Sequence, residues 1–130
     1  MAPAAVDTMV RHFQDTGRRP EDYDLIITGD LAKVGHELAI KLAKQQGYDI
    51  SKNYTDCGLL IYDLERQEVH AGGSGCACSA VVTTGWLMGK LNDGSFKRVL
   101  GVGTGALLST TSSQQGESIP GIGHAVVIEK

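Results

Sequence analysis

Short apolar runs of strand length alternate with helically spaced apolar positions along this chain. Residues 4–15 predict an amphipathic helix, because four apolar side chains recur there at three- and four-residue spacing: Val6, Met9, Val10 and Phe13. The continuous apolar run of residues 25–28 follows and predicts a buried strand. Residues 36–46 predict a second helix, whose expected apolar face consists of Leu38, Ala39, Leu42 and Ala43.

The middle of the chain predicts a polar connection and then a hairpin. Residues 48–56 are too polar for a core element, so we expect irregular structure there. Residues 58–63 have the length and the turn boundaries of a strand, and residues 68–70 are its predicted partner. Residues 64–67 between them are the predicted turn.

The last third of the chain predicts a buried helix and two more strands. Apolar positions in residues 79–91 extend nearly all the way round a helical cylinder, as expected of a helix buried on most sides. Residues 98–102 and 124–129 are apolar runs of strand length. The intervening residues 104–122 are rich in Gly, Ser, Thr and Gln and predict a loop, and a structureless loop of roughly 20 residues is usually functional.

The order of these elements predicts the fold class. Helices and strands that alternate in this way favour an α/β domain, in which one layer packs over another. A chain of 130 residues is long enough for one such domain, which we expect over residues 1–130. The sequence begins directly in a predicted helix and stops directly on a predicted strand. Together with a helix that is apolar all round, this predicts one half of a larger fold.

Composition narrows the classes of partner. A formal net charge of −3 and the absence of a basic block argue against a nucleic-acid partner. No apolar run approaches the roughly 18 to 20 residues of a spanning helix, and residues 1–5 lack the features of a signal peptide. Three cysteines without a framework spacing argue against a disulfide-stapled secreted domain, so we expect a reducing, cytoplasmic compartment.

The polar, glycine-rich turn of residues 70–80, which opens the predicted buried helix, is the candidate binding site. Cys76, Cys78 and His70 are of the types that zinc prefers, but two cysteines one residue apart are poorly spaced for one tetrahedral ion. Packing in the core is the alternative for both cysteines, and above all for Cys78. A further alternative is a nucleophilic Cys76 at a helix start, with His124 or His70 as its base.

The glycines of residues 101–105 suggest a second part of the site. Their spacing is not that of a full dinucleotide fingerprint and no clear phosphate-binding helix follows, so a nucleotide site is not predicted. Backbone amides of this glycine turn, Thr104 and the hydroxyl and amide side chains of residues 109–115 would instead suit a small carboxylate ligand. His36, at a helix start, is expected to be a solvated surface residue.

Three segments, residues 24–35, 71–80 and 110–122, carry a family resemblance. Through them the chain resembles, over its whole length, the second half of the stage V sporulation protein AD family. That family looks like a catalytically altered branch of the thiolase and ketoacyl synthase superfamily. The resemblance implies a thiolase-like half-fold, a layered mixed sheet with helices on both sides. In the complete fold the central helices of two such α/β halves pack against each other. The resemblance also implies a role in moving dipicolinic acid, with calcium, into the developing spore.

The resemblance further implies that the catalytic groups of the superfamily are absent. Thiolases carry Gly-His-Pro, and the related synthases Gly-Asn, at the turn that matches Gly73, Ser74 and Gly75 here. The position of a proton-donating cysteine of thiolases matches Gly101. Without that base and acid we expect no enzyme, and neither a catalytic residue, a cofactor nor a metal.

Binding of dipicolinate without chemistry is therefore the function that the resemblance implies. Dipicolinate is a flat dianion with a ring nitrogen, and amides and hydroxyls can donate hydrogen bonds to it. The expected ligand-binding residues are Gly73, Ser74, Cys76, Ser79, Thr104, Gln114 and His124. The competing functions are an acyl-CoA-dependent acyltransferase that uses Cys76 with a histidine, and a structural subunit that only docks onto membrane partners.

The resemblance also implies partners. These are other stage V sporulation membrane proteins, with the chain peripheral at the forespore inner membrane, and the missing N-terminal half. Alone, the chain is expected to expose Val81, Trp86 and Met88 of the predicted buried helix. Because such an apolar patch favours association, we predict a homodimer that mimics the arrangement of the two halves.

Overall fold

A computed structural model describes all residues, 1–130, as one layered α/β unit. Its elements are, in chain order, α1 (Ala2–Thr16), β1 (Leu25–Thr28), α2 (Ala32–Gln45), β2 (Tyr54–Asp56), α3 (Cys57–Leu60), α4 (Ala77–Val82), α5 (Met88–Asn92), β3 (Arg98–Ala106), α6 (Thr110–Gln114) and β4 (Gly121–Glu129). A 3-10 turn, Pro20–Asp22, precedes β1, and a π-helical turn, Thr83–Leu87, joins α4 to α5. We call the continuous helix of residues 77–92 the inner helix.

The sheet has four strands in the order β2-β1-β3-β4. Strand β1 runs parallel to both β2 and β3, whereas β4 is antiparallel to β3. The sheet is therefore mixed, as predicted. Because the carboxyl ends of the three parallel strands meet at one edge, the turns that leave them are also brought together, which is where ligands bind in open α/β sheets.

Two apolar layers cover the two faces of the sheet. Helices α1 and α2 pack on one face over a core of 15 buried residues that includes Met9, Phe13, Ile26 and Leu100. The inner helix packs on the other face over a smaller core: Leu25, Ile27, Cys57, Cys78, Val82, Leu87, Leu91 and Val99. Helices on both sides of a mixed sheet confirm the predicted fold class, and the arrangement is consistent with one half of a thiolase-like fold.

The two N-terminal helices follow the predicted pattern with one error. Helix α1 ends at Gly17, whose φ of 67° terminates the helix as glycine commonly does. Helix α2 begins four residues before the predicted start at residue 36, and Ala39 and Ala43 are buried as expected. Leu38 is 41% exposed, contrary to the prediction, whereas Leu42 is partly buried against the core.

The predicted strand over residues 58–63 is wrong. The strand in this part of the chain is β2, which lies within the segment expected to be irregular. Residue 57 already begins helix α3. Tyr54 and Asp56 of β2 are buried while Leu60 and Tyr62 are exposed, so hydrophobicity is a poor guide here. Residues 68–70 form no strand, although a turn does occur at residues 64–66.

The C-terminal hairpin is longer than predicted. Pairing of β3 with β4 continues to Ala106 and Gly121, which are direct partners in the register. The segment expected to be a loop, residues 104–122, therefore contributes to both strands and also contains α6. Its polar and glycine residues are compatible with strand structure because this end of the hairpin is largely exposed.

The inner helix is buried on one face only. Cys78, Val82, Leu87 and Leu91 face the sheet, which corrects the expectation of burial on most sides. The opposite face exposes Val81, Trp86 and Met88, as predicted for the chain by itself. None of the helices combines the length and the apolar character needed to cross a bilayer.

Candidate ligand cleft

A glycine floor on β3 opens a cleft between the sheet and the inner helix. Gly101 and Gly103 lie on the strand face that continues from the buried Val99. A Cβ atom added to Gly103 would meet nothing within 4 Å, so this position borders open space. The cleft has a volume of about 310 Å³.

Donor groups stand on both walls of this cleft. One wall is formed by the end of β1 and by the inner helix, and the other by β4; the lining residues are Ile27, Thr28, Gly29, Cys57, Ser79, Thr83, Gly101, Val102, Gly103, His124, Val126 and Ile128. We call this the β3 cleft. Ser79 and Thr83 supply hydroxyls and His124 an imidazole, beside apolar side chains. A few polar groups in an apolar concavity are typical of a small-molecule site.

The end of β1 and the start of the inner helix touch at Gly29. A Cβ atom there would lie 3.3 Å from the Cβ of Ser79, so a larger residue would push the helix away. Thr28 and Gly29 are both buried. The contact fixes the height of the Ser79 hydroxyl above the glycine floor.

Beside the cleft, a buried carboxylate organises the carboxyl ends of β1 and β2. Asp56 is fully buried and accepts four hydrogen bonds. The donors are the Thr28 hydroxyl at 2.6 Å and the backbone amides of Leu31, Ala32 and Gly58 at 2.9, 2.8 and 2.9 Å. The Tyr54 hydroxyl lies 2.8 Å from Thr28 Oγ1 and extends the network. Sequence reasoning missed Asp56, although it is the N-cap of α3 and aspartate is a typical N-cap residue.

Cys57 and Asp30, at this edge, are shifted toward their neutral forms. Burial, and then the Asp56 carboxylate, raise the pKa of the Cys57 thiol to about 12. Burial and Asp56 also raise the pKa of the half-buried Asp30 above its ordinary value of 3.8. Cys57, although it lines the β3 cleft, is therefore a thiol rather than a reactive thiolate at neutral pH.

Of the seven predicted ligand-binding residues, the structure brings Ser79 and His124 together in the β3 cleft. Gly73 and Ser74 line a different cavity of about 560 Å³, next to Cys78 and Tyr62. Gln114 lines a third one, of about 360 Å³, beside α6. Sequence reasoning could not separate these places, because they are set by packing between distant segments.

The remaining candidates lie apart from these cavities. Thr104 is half-buried and its hydroxyl lies 3.6 Å from the sulfur of Met1. Cys76 is exposed at the start of α4, whereas Cys78 is buried in the core as its packing interpretation predicted. No group of three or more His, Cys, Asp and Glu side chains is placed to hold a metal ion.

His36 is not the solvated residue that its position predicts. It is half-buried, its ring stacks on Tyr54 with centroids 4.7 Å apart, and its Nε2 lies 3.2 Å from the Tyr54 carbonyl oxygen. The residue packs there because α2 starts earlier than expected and lies against β2. His36 is thus part of the support for the buried Tyr54, Thr28 and Asp56 network.

Comparison with known proteins accounts for the whole chain. The family model described as "Stage V sporulation protein AD (SpoVAD)" matches residues 1–129. The chain is also 53% identical over 130 residues to the stage V sporulation protein AD of Bacillus subtilis (strain 168), and the match covers 100% of this chain. It covers 38% of that relative, in its C-terminal part. The chain therefore belongs to the stage V sporulation protein AD family.

Proposed function

We propose that this chain is the C-terminal, ligand-binding part of a sporulation-specific component that takes dipicolinate, as calcium dipicolinate, into the forespore. The observation that supports this function best is the β3 cleft. It combines a floor without side chains at Gly101 and Gly103 with donors on both walls. Membership of a sporulation family is the second support.

The chemistry of the cleft suits a flat dianion. A planar ring can lie against the glycine floor, since no Cβ atom projects from Gly103. The hydroxyls of Ser79 and Thr83 and the imidazole of His124 then surround its carboxylates as hydrogen-bond donors. Hydrogen bonds to a charged acceptor contribute about 1.5 to 3 kcal/mol each, so a few of them suffice for binding.

We further propose that the chain binds this ligand without catalysis. The turn that carries His or Asn in the thiolase-like superfamily carries Ser74 here, and Gly101 stands where thiolases have a cysteine. A serine hydroxyl is a poor general base at neutral pH. The buried Cys57 thiol, with its pKa of about 12, stays protonated at neutral pH and therefore does not supply a nucleophile either.

The proposed partners follow from location and surface. We propose that the complete protein is peripheral to the forespore inner membrane, held there by other stage V sporulation membrane proteins. The exposed face of the inner helix, formed by Val81, Trp86 and Met88, is the surface for the missing half. In this chain by itself we propose that a second copy covers it, since an exposed apolar patch favours association.

Calorimetric titration with dipicolinate tests the proposal. The titrant is added to this chain and, in parallel, to a longer protein that carries both halves. We expect saturable binding to the two-half protein and weaker binding to the chain alone, because a cleft shared by two halves is open on one side. No binding to either would contradict the proposal.

The same preparations test the enzymatic alternative. Incubation with an acyl-CoA should leave Cys76 unmodified by intact-mass and peptide mass spectrometry, and no free CoA should be released. An acyl group on Cys76 would favour the acyltransferase instead. A two-half protein that neither binds dipicolinate nor transfers acyl groups would favour the docking subunit.

A further inference from the structure

The start of α2 forms an anion-binding turn that the chain fills from within. Leu31 has right-handed helical backbone angles, with φ of −76° and ψ of −22°, and Ala32 is left-handed, with φ of 54°. Successive residues of opposite hand direct their amides toward one point, which favours an anion there. The Asp56 carboxylate occupies that point, with its oxygens 2.9 and 2.8 Å from the two nitrogens.

The left-handed Ala32 indicates that this contact is held under constraint. A non-glycine residue in that conformation is strained and persists where its surroundings fix it. His70, with φ of 50°, is the other such residue in the chain. A backbone hydrogen bond joins the residues that follow these two: the amide of Lys33 donates to the carbonyl of Ala71 at 2.9 Å.

The same carboxylate fixes the wall of the β3 cleft. Asp56 bonds the Thr28 hydroxyl on one side of Gly29 and the Leu31 amide on the other. Gly29 in turn sets the closest approach of Ser79. Asp56 itself does not line the cleft. Asp56 therefore controls the position of Ser79 indirectly, through Gly29.

A second path leads from Asp56 to the turn that opens the inner helix. The Gly58 amide donates to Asp56, and the Gly58 carbonyl accepts from the Gly73 amide at 2.8 Å. A Cβ atom on Gly58 would overlap the Gly73 carbonyl, so only glycine permits this approach. Gly73 packs in turn on Cys78, whose sulfur would lie 3.0 Å from a Cβ atom at Gly73.

We infer that Asp56 is the positioning residue of the β3 cleft: its carboxylate fixes the Gly29 wall directly and the Gly73 turn through Gly58. The inference rests on the proposed function for its ligand readout. It has a second readout, the accessibility of Cys78, that needs no ligand. Cys78 is shielded by Gly73 and exposed Cys76 is its internal reference.

The direct test is Asp56→Asn in the two-half protein. The amide keeps the shape but presents N–H groups to donors that need an acceptor. We expect at least a tenfold loss of dipicolinate affinity by calorimetry. We also expect at least a tenfold faster alkylation of Cys78 by iodoacetamide, relative to Cys76, by peptide mass spectrometry.

Gly58→Ala is the second variant, should Asp56→Asn fail to fold. Its Cβ atom would overlap the Gly73 carbonyl and lie 2.9 Å from Asp56 Oδ1, so it disturbs the contact between the carboxylate and the Gly73 turn, and Cys78 should again be alkylated faster. Gly75→Ala is the matched control on the same turn, since its Cβ atom would meet nothing within 4 Å. Ala32→Gly keeps all four hydrogen bonds and removes the strain. Both controls should alkylate at the wild-type rate.

Dipicolinate affinity and Cys78 alkylation together distinguish a failure of the proposed function from a failure of the positioning role of Asp56. A wild-type protein that binds no dipicolinate overturns the proposed function, and the alkylation rates still decide the role of Asp56. A folded Asp56→Asn or Gly58→Ala protein whose Cys78 reacts as slowly as in the wild type overturns the positioning role. Faster alkylation in Gly75→Ala as well would also overturn it, because any change in the turn would then suffice.

Discussion

His124 on β4 is the direct register partner of Gly103 on β3, so its imidazole stands beside a position that has no side chain. His124 is exposed and lines the β3 cleft. The pairing leaves an open floor next to a hydrogen-bond donor. A flat ligand on the floor thus has its edge within reach of the imidazole.

His124→Ala is expected to weaken dipicolinate binding. It removes one donor to a charged ligand, and about 1.5 to 3 kcal/mol corresponds to roughly a tenfold to hundredfold rise in Kd. Calorimetry on the two-half protein measures the change. His70→Asn is the control, because His70 is exposed outside the β3 cleft and Asn tolerates its φ of 50°. An equal loss of dipicolinate affinity in both variants would contradict the assignment of His124 to the binding site.

A charge on the inner helix is expected to prevent self-association of this chain. Trp86→Glu places a carboxylate within the exposed apolar face, and it should convert a dimer to a monomer in sedimentation equilibrium at micromolar concentration. Leu38→Glu is the matched control, since Leu38 is also exposed but lies on α2, across the sheet. A wild-type chain that sediments as a stable monomer would contradict the prediction.

Stability should fall between pH 7 and pH 5 because of His12. Burial, and then the Arg18 charge, lower the pKa of His12 below its ordinary value of 6.5. The unfolded chain therefore binds this proton more readily, so the free energy of unfolding decreases as the pH falls through that window. The Tyr23 hydroxyl lies 2.5 Å from His12 Nε2.

Urea unfolding at pH 7.5 and pH 5.5 measures this dependence. His12→Gln should unfold with a smaller difference between the two pH values than the wild type. His70→Asn should keep the wild-type difference. An unchanged pH dependence in His12→Gln would show that another group is responsible.

Asp24 ties the start of β1 to the start of β3. Its carboxylate accepts from the amides of Lys97 and Arg98 at 2.7 and 2.9 Å, and these hydrogen bonds lower its pKa below 3.8. Its contribution to stability is thus present above pH 4 and is lost as the pH falls through the lowered pKa. Asp24→Asn should cost on the order of 1 kcal/mol or less at pH 7, as expected of an exposed pair of bonds.

Thermal unfolding at pH 7 and pH 3 checks this prediction. The midpoint of Asp24→Asn should lie below that of the wild type at pH 7, and this gap should be smaller at pH 3, because part of the contribution is lost below pH 3.8. Asp63→Asn is a control of similar exposure on a distant turn, so it should leave the β1 and β3 ends unaffected. A gap as large at pH 3 as at pH 7 would contradict the assignment.

Periodicity predicted the elements whose environment is uniform. Residues 25–28 are apolar throughout because β1 is covered on both faces, and α1 shows its one apolar stripe clearly. It failed at β2, whose three residues are polar or aromatic. Tyr54 and Asp56 are buried there in a hydrogen-bond network with Thr28 rather than by hydrophobicity. The local pattern of apolar and polar residues does not show such hydrogen bonds between distant segments.

The candidate site was predictable only in part. The sequence indicates Ser79 and His124 as ligand-binding residues, and the fold places both in the β3 cleft. Gln114 and Ser74 were grouped with them because they are polar and close to glycines, but tertiary packing puts them in other cavities. Asp56 was missed since its role depends on partners 24 to 28 residues away along the chain.

Calorimetric titration of dipicolinate into the two-half protein that carries Gly103→Val tests the central claim most directly. The valine meets no atom within 4 Å at its Cβ and fills only the floor of the β3 cleft, so the fold should persist. Ala106→Val adds bulk to the opposite face of the same strand as a control. We predict loss of binding in Gly103→Val and wild-type affinity in Ala106→Val. Wild-type affinity in a folded Gly103→Val protein would contradict the claim that dipicolinate binds in this cleft.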